Sequence, residues 1–247
     1  MLLALLTDLH ANRQALSACL DDAADFSPDR YVFLGDYVGY GADPEWVLDT
    51  VMHYVEWGAI AVRGNHDAAT AGTLRRSMRP DAQAVIEWTR PRLASHQRDF
   101  LHSLPLTAEL EQCFFAHANP WQPEEWEYVL SPADAAHALA AVPHKFIFCG
   151  HAHDPALYNL SSMGKLGHYL PVPGQAIPLA GPRRWLAIPG SAGQPRDGNP
   201  AAAYALFDTD SQSLTFRRVP YDNAGAAAAV RAAGLPEQLA RRLETAG

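Results

Sequence analysis

The chain reads as an α/β protein of two packed sheets with helices outside, parallel early and antiparallel late. Three observations predict this. Short apolar runs rich in β formers recur through the first part of the chain, helical signals alternate with them, and short alternating strands take over toward the C-terminus. Across 247 residues, with no linker or internal repeat, the expectation is one domain over 1–247 with a hairpin excursion around 155–184.

The early strands are "LLALLTDLH", "RYVFLGDYVG", "AIAVRGNHD", "CFFAHANP" and "HKFIFCGHAHD", each ending in polar residues able to bind metals. Between them, "ANRQALSACLDDAADF" carries Leu16 and Leu20 at helical spacing. "ADPEWVLDTVMHYVEWG" opens with Asp43 as N-cap and Pro44 at the first helical position, and closes on Gly58. The region from Arg79 to Pro105 reads as helix interrupted near Pro91, and "SPADAAHALAAV" starts another helix at Ser131 and Pro132. After Asp154 the chain turns to proline, glycine and short alternating pieces, with "PVPGQAIPLAGPRRW" as the hairpin excursion. "WLAIPGSAG", "AAYALFDTD" and "SLTFRRVPYD" have the spacing of an antiparallel meander. The alanine-rich tail from Asn223 is helical, broken at Gly234 and Pro236.

Bulk properties narrow the function. A hydrophobic fraction of 48% and a charged fraction of 19% describe a globular chain that buries a real core. A formal charge of −8 argues against extended nucleic acid as partner, since phosphate backbones demand clustered Lys and Arg, but it allows small phosphorylated molecules. Cys19, Cys113 and Cys149 make no disulfide framework, which fits a reducing cytoplasm. "MLLALLTD" has no basic leader and reads as a strand rather than a signal peptide, and no apolar run approaches the ~20 residues of a membrane helix. A cytoplasmic protein with no membrane partner is expected. A homo-oligomer is allowed.

Asp8, His10, Asp36, Asn65, His66, His117, His151 and His153 all fall at strand carboxyl ends, where ligands gather in α/β sheets. One such residue is ordinary in a loop. Gathering them all, with few basic residues nearby, carries an electrostatic cost that a divalent metal pair removes. Oxygen and nitrogen donors suit Mn²⁺, Fe, Zn²⁺, Co²⁺ or Ni²⁺ better than Ca²⁺ or a thiolate zinc site. Two metals ~3.5–4 Å apart need a bridging carboxylate, and Asp36 is the candidate because Gly35, Gly39 and Gly41 let backbone pass close to it.

The ordered set D-x-H, G-D, G-N-H-D, a lone strand-end histidine and G-H-x-H resembles the calcineurin-like metallophosphoesterase superfamily. "LLTDLHANRQAL", "GDYVGYGADPEWVLD", "GNHD" and "IPGSAGQPRDGNP" are similar to its YfcE-like bacterial and archaeal phosphodiesterase branch, over nearly the whole chain. The resemblance implies a four-layer αββα sandwich with two mixed sheets flanked by helices. It also implies one metal on Asp8, His10, Asp36 and His153, a second on Asp36, Asn65, His117 and His151, and His66 as the acid over the leaving group. The chain departs from the family at Ala11, where glycine is usual, and at Ala118, Asn119 and Ala152. Ala11 should either keep negative φ or bear strain. Gly39 and Tyr40 stand where the protein-phosphatase branch has an aspartate and an arginine, which argues against a Ser/Thr protein phosphatase.

The expected chemistry is hydrolysis of a small organic phosphodiester or nucleotide by a hydroxide held between the two ions, with His66 protonating the leaving oxygen. Asp67 is expected to assist by orienting His66, or to cap the following helix. Asn12, Tyr37, Tyr40 and Arg196 are candidates for substrate binding, the tyrosines by stacking and Arg196 by clamping a phosphate, against a plain turn role for Arg196 beside Asp197. A phosphomonoesterase, a dinucleoside polyphosphate hydrolase and a metal-binding scaffold of weak activity share the same residues.

Overall fold

A computed structural model describes residues 1–74 and 78–247. The first strand explains the layering. β1 (Leu2–Leu6) is apolar at every position, so both faces must be covered: Leu3 and Leu5 turn toward the other sheet, Ala4 and Leu6 toward helices. The order in the first sheet is β3 (Ile60–Ala61), β2 (Arg30–Phe33), β1, β11 (Ala202–Asp208), β12 (Ser213–Val219), β9 (Ala176–Pro178). The second runs β4 (Thr107–Leu110), β5 (Cys113–Ala116), β6 (Phe146–Phe148), β10 (Arg184–Ile188), β7 (Ala156–Leu160), β8 (Leu166–Tyr169).

Both sheets are mixed. β1, β2 and β3 pair in parallel, as do β5, β6 and β10, and the remaining pairs are antiparallel. Between the sheets lies a layer containing Leu3, Leu5, Phe115, Phe148, Phe207 and Phe216. Outside the first sheet, α1 (Arg13–Ala24) and α2 (Pro44–Glu56) pack Leu16, Leu20, Val47 and Leu48 onto it. α6 (Pro132–Ala141) covers the second sheet with Ala135, Ala138 and Leu139. The result is the four-layer αββα sandwich. A separate cluster joins α4 (Pro80–Thr89) to α7 (Asn223–Ala232) and α8 (Glu237–Thr245) through Val85, Val230 and Leu239.

Several elements differ from the sequence reading. The three C-terminal strands are no meander: β11 and β12 pair in the first sheet, whereas β10 lies in the second between β6 and β7. Trp185, Leu186 and Ala187 need cover on both faces, which the centre of a sheet supplies and a surface hairpin does not. Segment 155–184 holds the β7–β8 hairpin but also crosses between sheets, ending β8 at one edge and β9 at an edge of the other. α3 (Asn65–Ala71) starts two residues before Asp67, with Gly64 as its N-cap. The break near Pro91 separates α4 from α5 (Ser95–Ser103), as expected.

Among the described residues no helix is long and apolar enough to cross a membrane.

Phe207 reaches from the first sheet to ring contacts with Phe146 and Phe148 of the second, at 4.8 and 5.1 Å. Phe207→Ala should lower unfolding free energy by ~3–5 kcal/mol. Urea unfolding should show this as a lower midpoint at unchanged slope, and an unchanged midpoint would mean that this layer does not join the sheets.

Candidate metal centre

The strand ends are held in place by backbone hydrogen bonds that run on past the ladders. Asp8, His10 and Ala11 donate N–H to the carbonyls of Gly35, Asp36 and Tyr37, which zips the loop after β1 to the loop after β2. Gly150 donates to His117, joining the loops after β6 and β5. Ala192 and Gly193, after β10, donate to Thr7 and Asp8, which ties the second sheet to the first. These loops are strained. Asp8, His10, Asp36, His151 and His153 all have left-handed backbones, with φ between 47° and 68°. Such conformations cost of order 1–3 kcal/mol each and cluster at functional sites. Ala11 is left-handed too, at φ 50°, so the departure from glycine is borne as strain.

Close approach also dictates glycine. A β-carbon on Gly64 would stand 2.1 Å from Asp36 Oδ1, and one on Gly39 would stand 2.3 Å from His66 Nδ1. The flexible loop after β2 is therefore tightly packed in space.

The side chains converge into three overlapping groups: Asp8, His10 and His153; His10, Asp36 and His66; Asp36, His117 and His151. Asp36 Oδ2 lies 3.8 Å from His10 Nε2 and 3.3 Å from His117 Nε2, so one carboxylate oxygen reaches both ends of the array. Asn65 Oδ1 is 3.1 Å from His117 Nε2.

Backbone carbonyls fix the tautomers. Nδ1 of His10, His117 and His153 lies 3.2, 2.8 and 2.6 Å from the carbonyl oxygens of Val38, Leu34 and Gln194. A carbonyl only accepts, so each Nδ1 carries hydrogen and Nε2 turns to the cluster. His151 is reversed: Nε2 donates to the Trp126 carbonyl at 3.0 Å, which frees Nδ1.

That arrangement fits a cation. His10 Nε2 and His153 Nε2 face each other at 3.2 Å, lone pair to lone pair when both rings are neutral. Asp8 Oδ1 is buried without a hydrogen bond, 3.3 Å from His153 Nε2. Carboxylate, imidazole and amide donors suit borderline divalent ions. Burial holds His10 and His153 well below the ordinary imidazole range and pushes His151 down to about 3, so these rings are neutral at pH 7, the form a metal ligand takes. Burial pushes Asp8 up to about 6. It also opposes charge on His117, but Asp36 outweighs it and raises that ring to about 9.

Other expected site residues fall elsewhere. Tyr37 is fully buried, its hydroxyl donating to the carbonyls of Phe33 and Val62, and presents no stacking face. Asn12 caps α1, accepting from Ala15 N–H, while its amide donates to the Gly193 carbonyl and the Tyr221 hydroxyl. The side chains of both these substrate-binding candidates turn into the fold. Asp67 caps α3 from within its first turn, accepting the N–H of the N-cap Gly64, and makes no bond to His66 Nδ1. Its carboxylate accepts N–H bonds from Asp36, Tyr37 and Gly64 at 2.8, 2.9 and 2.8 Å. Burial and the Asp36 charge push it up to about 7 despite those bonds.

Tyr40 and Arg196 do line a cavity of about 180 Å³ with Asp36, Asn65, His66 and His151. Tyr40 packs against His10 and His66, and Asp197 pairs with Arg218 rather than with Arg196. Sequence reasoning missed Arg79, Trp126 and Tyr128 of this cavity. The two aromatics lie in the loop after His117, and a loop following a motif strand is where binding residues concentrate.

Asp67→Ala should weaken metal binding ~10–100-fold although Asp67 belongs to none of the three donor groups, because Asp36 loses its support. Metal titration of the variant checks this, and wild-type affinity would remove Asp67 from the support of the site.

Residues 1–212 match the calcineurin-like phosphoesterase superfamily domain. A solved metallophosphoesterase from Sphaerobacter thermophilus is 35% identical, with a TM-score of 0.88 over 100% of this chain and 99% of that one. The uncharacterized protein MJ0912 of Methanocaldococcus jannaschii is 33% identical over 249 residues, 98% of this chain and 97% of its own length. The solved hypothetical protein PH1004 of Pyrococcus horikoshii OT3 shares the fold, with a TM-score of 0.80 at 19% identity over 100% of this chain and 98% of that one. With the same αββα layers and this gathering of carboxylates and imidazoles at the strand ends, the chain belongs to the calcineurin-like phosphoesterase superfamily.

Proposed function

We propose that this protein is a dinuclear metal-dependent phosphodiesterase acting on small organic phosphodiesters. The observation that carries the reading is Asp36 Oδ2, within 3.8 Å of donors at both ends of the array, where a bridging carboxylate belongs. Asp8, His10 and His153 would hold one ion with Asp36. Asn65, His117 and His151 would hold the other. When bound, such a pair lowers the pKa of water and neutralises phosphoryl charge.

The chain's own groups supply the rest. The carbonyls of Val38, Leu34 and Gln194 hold three imidazoles with Nε2 toward the centre. Arg196 reaches the cavity with Nη2 on Gln194 Oε1, and its Nε has no protein partner, which leaves donors for a phosphoryl oxygen. His66 lines the same cavity, with its partnerless Nδ1 toward Gly39. Its other nitrogen, Nε2, is the one available to protonate a leaving oxygen. His66 also lies within ligand distance of His10 and Asp36, so metal content and rate must be read separately.

Asp36→Ala should abolish both metal content and turnover. His66→Ala should keep the metals and slow turnover ~10²–10⁴-fold, the usual size of a general-acid contribution. Elemental analysis beside hydrolysis of bis-p-nitrophenyl phosphate with added Mn²⁺ reads both variants. A His66 variant that loses one metal would make it a ligand instead, and a fully active one would take it out of the mechanism.

A further inference from the structure

Two apolar faces border the cavity that the chemistry above leaves unused. Tyr40, which packs on His66, shares one apolar cluster with Ala82 and Met78, whereas Trp126 and Tyr128 meet His151, and all five line the cavity. Ring contacts place them at different ends of the donor array. Tyr40 packs on His10 and His66 at 4.6 and 4.5 Å, whereas Tyr128 stacks on His151 at 3.9 Å with 8° between planes. A phosphodiester has two organic arms and a monoester only one, so two separate apolar faces match a diester.

Tyr128 differs from the other tyrosines near the site. It is 44% exposed, while Tyr37 and Tyr40 are 0% and 8% exposed. His151 stacks on one face of the phenol ring, and the ring, 44% exposed, also lines the cavity, where it can meet another flat group. Aromatic stacking of this kind accepts any planar π system and prefers offset, near-parallel rings. The cavity, about 180 Å³, is smaller than the ~300–1,000 Å³ of sites enclosing drug-sized ligands, which suits a small diester and not a polymer.

We propose that Tyr128 is the specificity-determining residue of this site, selecting phosphodiesters whose retained arm is a planar aromatic group, an aryl or nucleoside substituent. The inference rests on the phosphodiesterase reading. With His66 at the Tyr40 end, the leaving oxygen departs there and the arm against Tyr128 stays on phosphorus. Water supplies the new P–O bond as the bond to the leaving arm breaks. One water proton is lost from the attacking oxygen, the leaving oxygen takes up a proton, and the products are an alcohol or phenol and the aromatic phosphomonoester.

The test compares phenyl p-nitrophenyl phosphate with methyl p-nitrophenyl phosphate on Mn²⁺-loaded protein. The leaving group is the same in both, so only the retained arm differs. The wild type should favour the phenyl ester at least about fivefold in kcat/KM, the low end of a stacking contribution. Tyr128→Phe should keep that ratio, and Tyr128→Leu should bring it near one. Because each ratio is taken on one protein, loss of metal or fold lowers both rates and leaves it unmoved, so a role confined to bracing His151 would not change it. Calorimetric binding of diphenyl over dimethyl phosphate should show the same dependence on residue 128 without turnover. Cleavage of both esters with an equal ratio in wild type and Tyr128→Leu would overturn the role of Tyr128 alone. Cleavage of p-nitrophenyl phosphate but of neither diester would overturn the phosphodiesterase reading and this inference with it.

Discussion

Burying two carboxylates and five imidazoles against one another is the constraint on which the rest of this molecule depends. Asp8, Asp36, His10, His66, His117 and His153 are each at most 3% exposed, and His151 only 6%. Among the described residues, the charge of Arg196 reaches His10, His66 and His153. Such a cluster loses hydration without regaining full internal pairing, as the partnerless Asp8 oxygen and the facing Nε2 atoms of His10 and His153 show. A cation between those atoms reconciles the arrangement with its burial.

The fold meets that constraint through its parallel strands. β1 to β3 in one sheet and β5, β6 and β10 in the other send their carboxyl ends to the same edge of the sandwich, so donors from both sheets meet there. Left-handed residues turn each side chain inward after the strand, at an energetic cost that the surrounding bonds sustain. Asp67 is central to this support. By gathering the N–H groups of Asp36, Tyr37 and Gly64 it fastens the loop after β2 to the start of α3. The layer between the sheets matters to the site for the same reason: if Phe207 and Phe148 did not hold the sheets together, the two halves of the donor array would not meet.

Around that centre the chain builds an organic rim from a different source. Trp126 serves both, since its carbonyl orients His151 while its ring borders the cavity. It does so with its own backbone left-handed, at φ 54°. Tyr128 then stacks on the same imidazole. The loop after His117 therefore couples the orientation of His151 to the aromatic lining of the cavity.

The sequence by itself determined the layers, most of the element order and which carboxylates and imidazoles gather at the strand ends. Those rest on local chemistry: all-apolar strands such as "LLALL" must be covered on both faces, and D-x-H, G-N-H-D and G-H-x-H sit where such strands end. What only the tertiary structure decided is where side chains point and what meets them across the fold. Tyr37 and Tyr40 are near neighbours in one loop, yet one is packed among β2 and β3 carbonyls and the other faces the cavity, because φ turns positive at Tyr40. Asp67 caps its own helix at Gly64 as local spacing allows, but its bonds to Asp36 and Tyr37 reach about thirty residues upstream. β10 left its neighbours β11 and β12 for the other sheet, where both its faces find cover. In each case the deciding contact joins residues far apart in the chain, and periodicity and local spacing carry no record of such contacts.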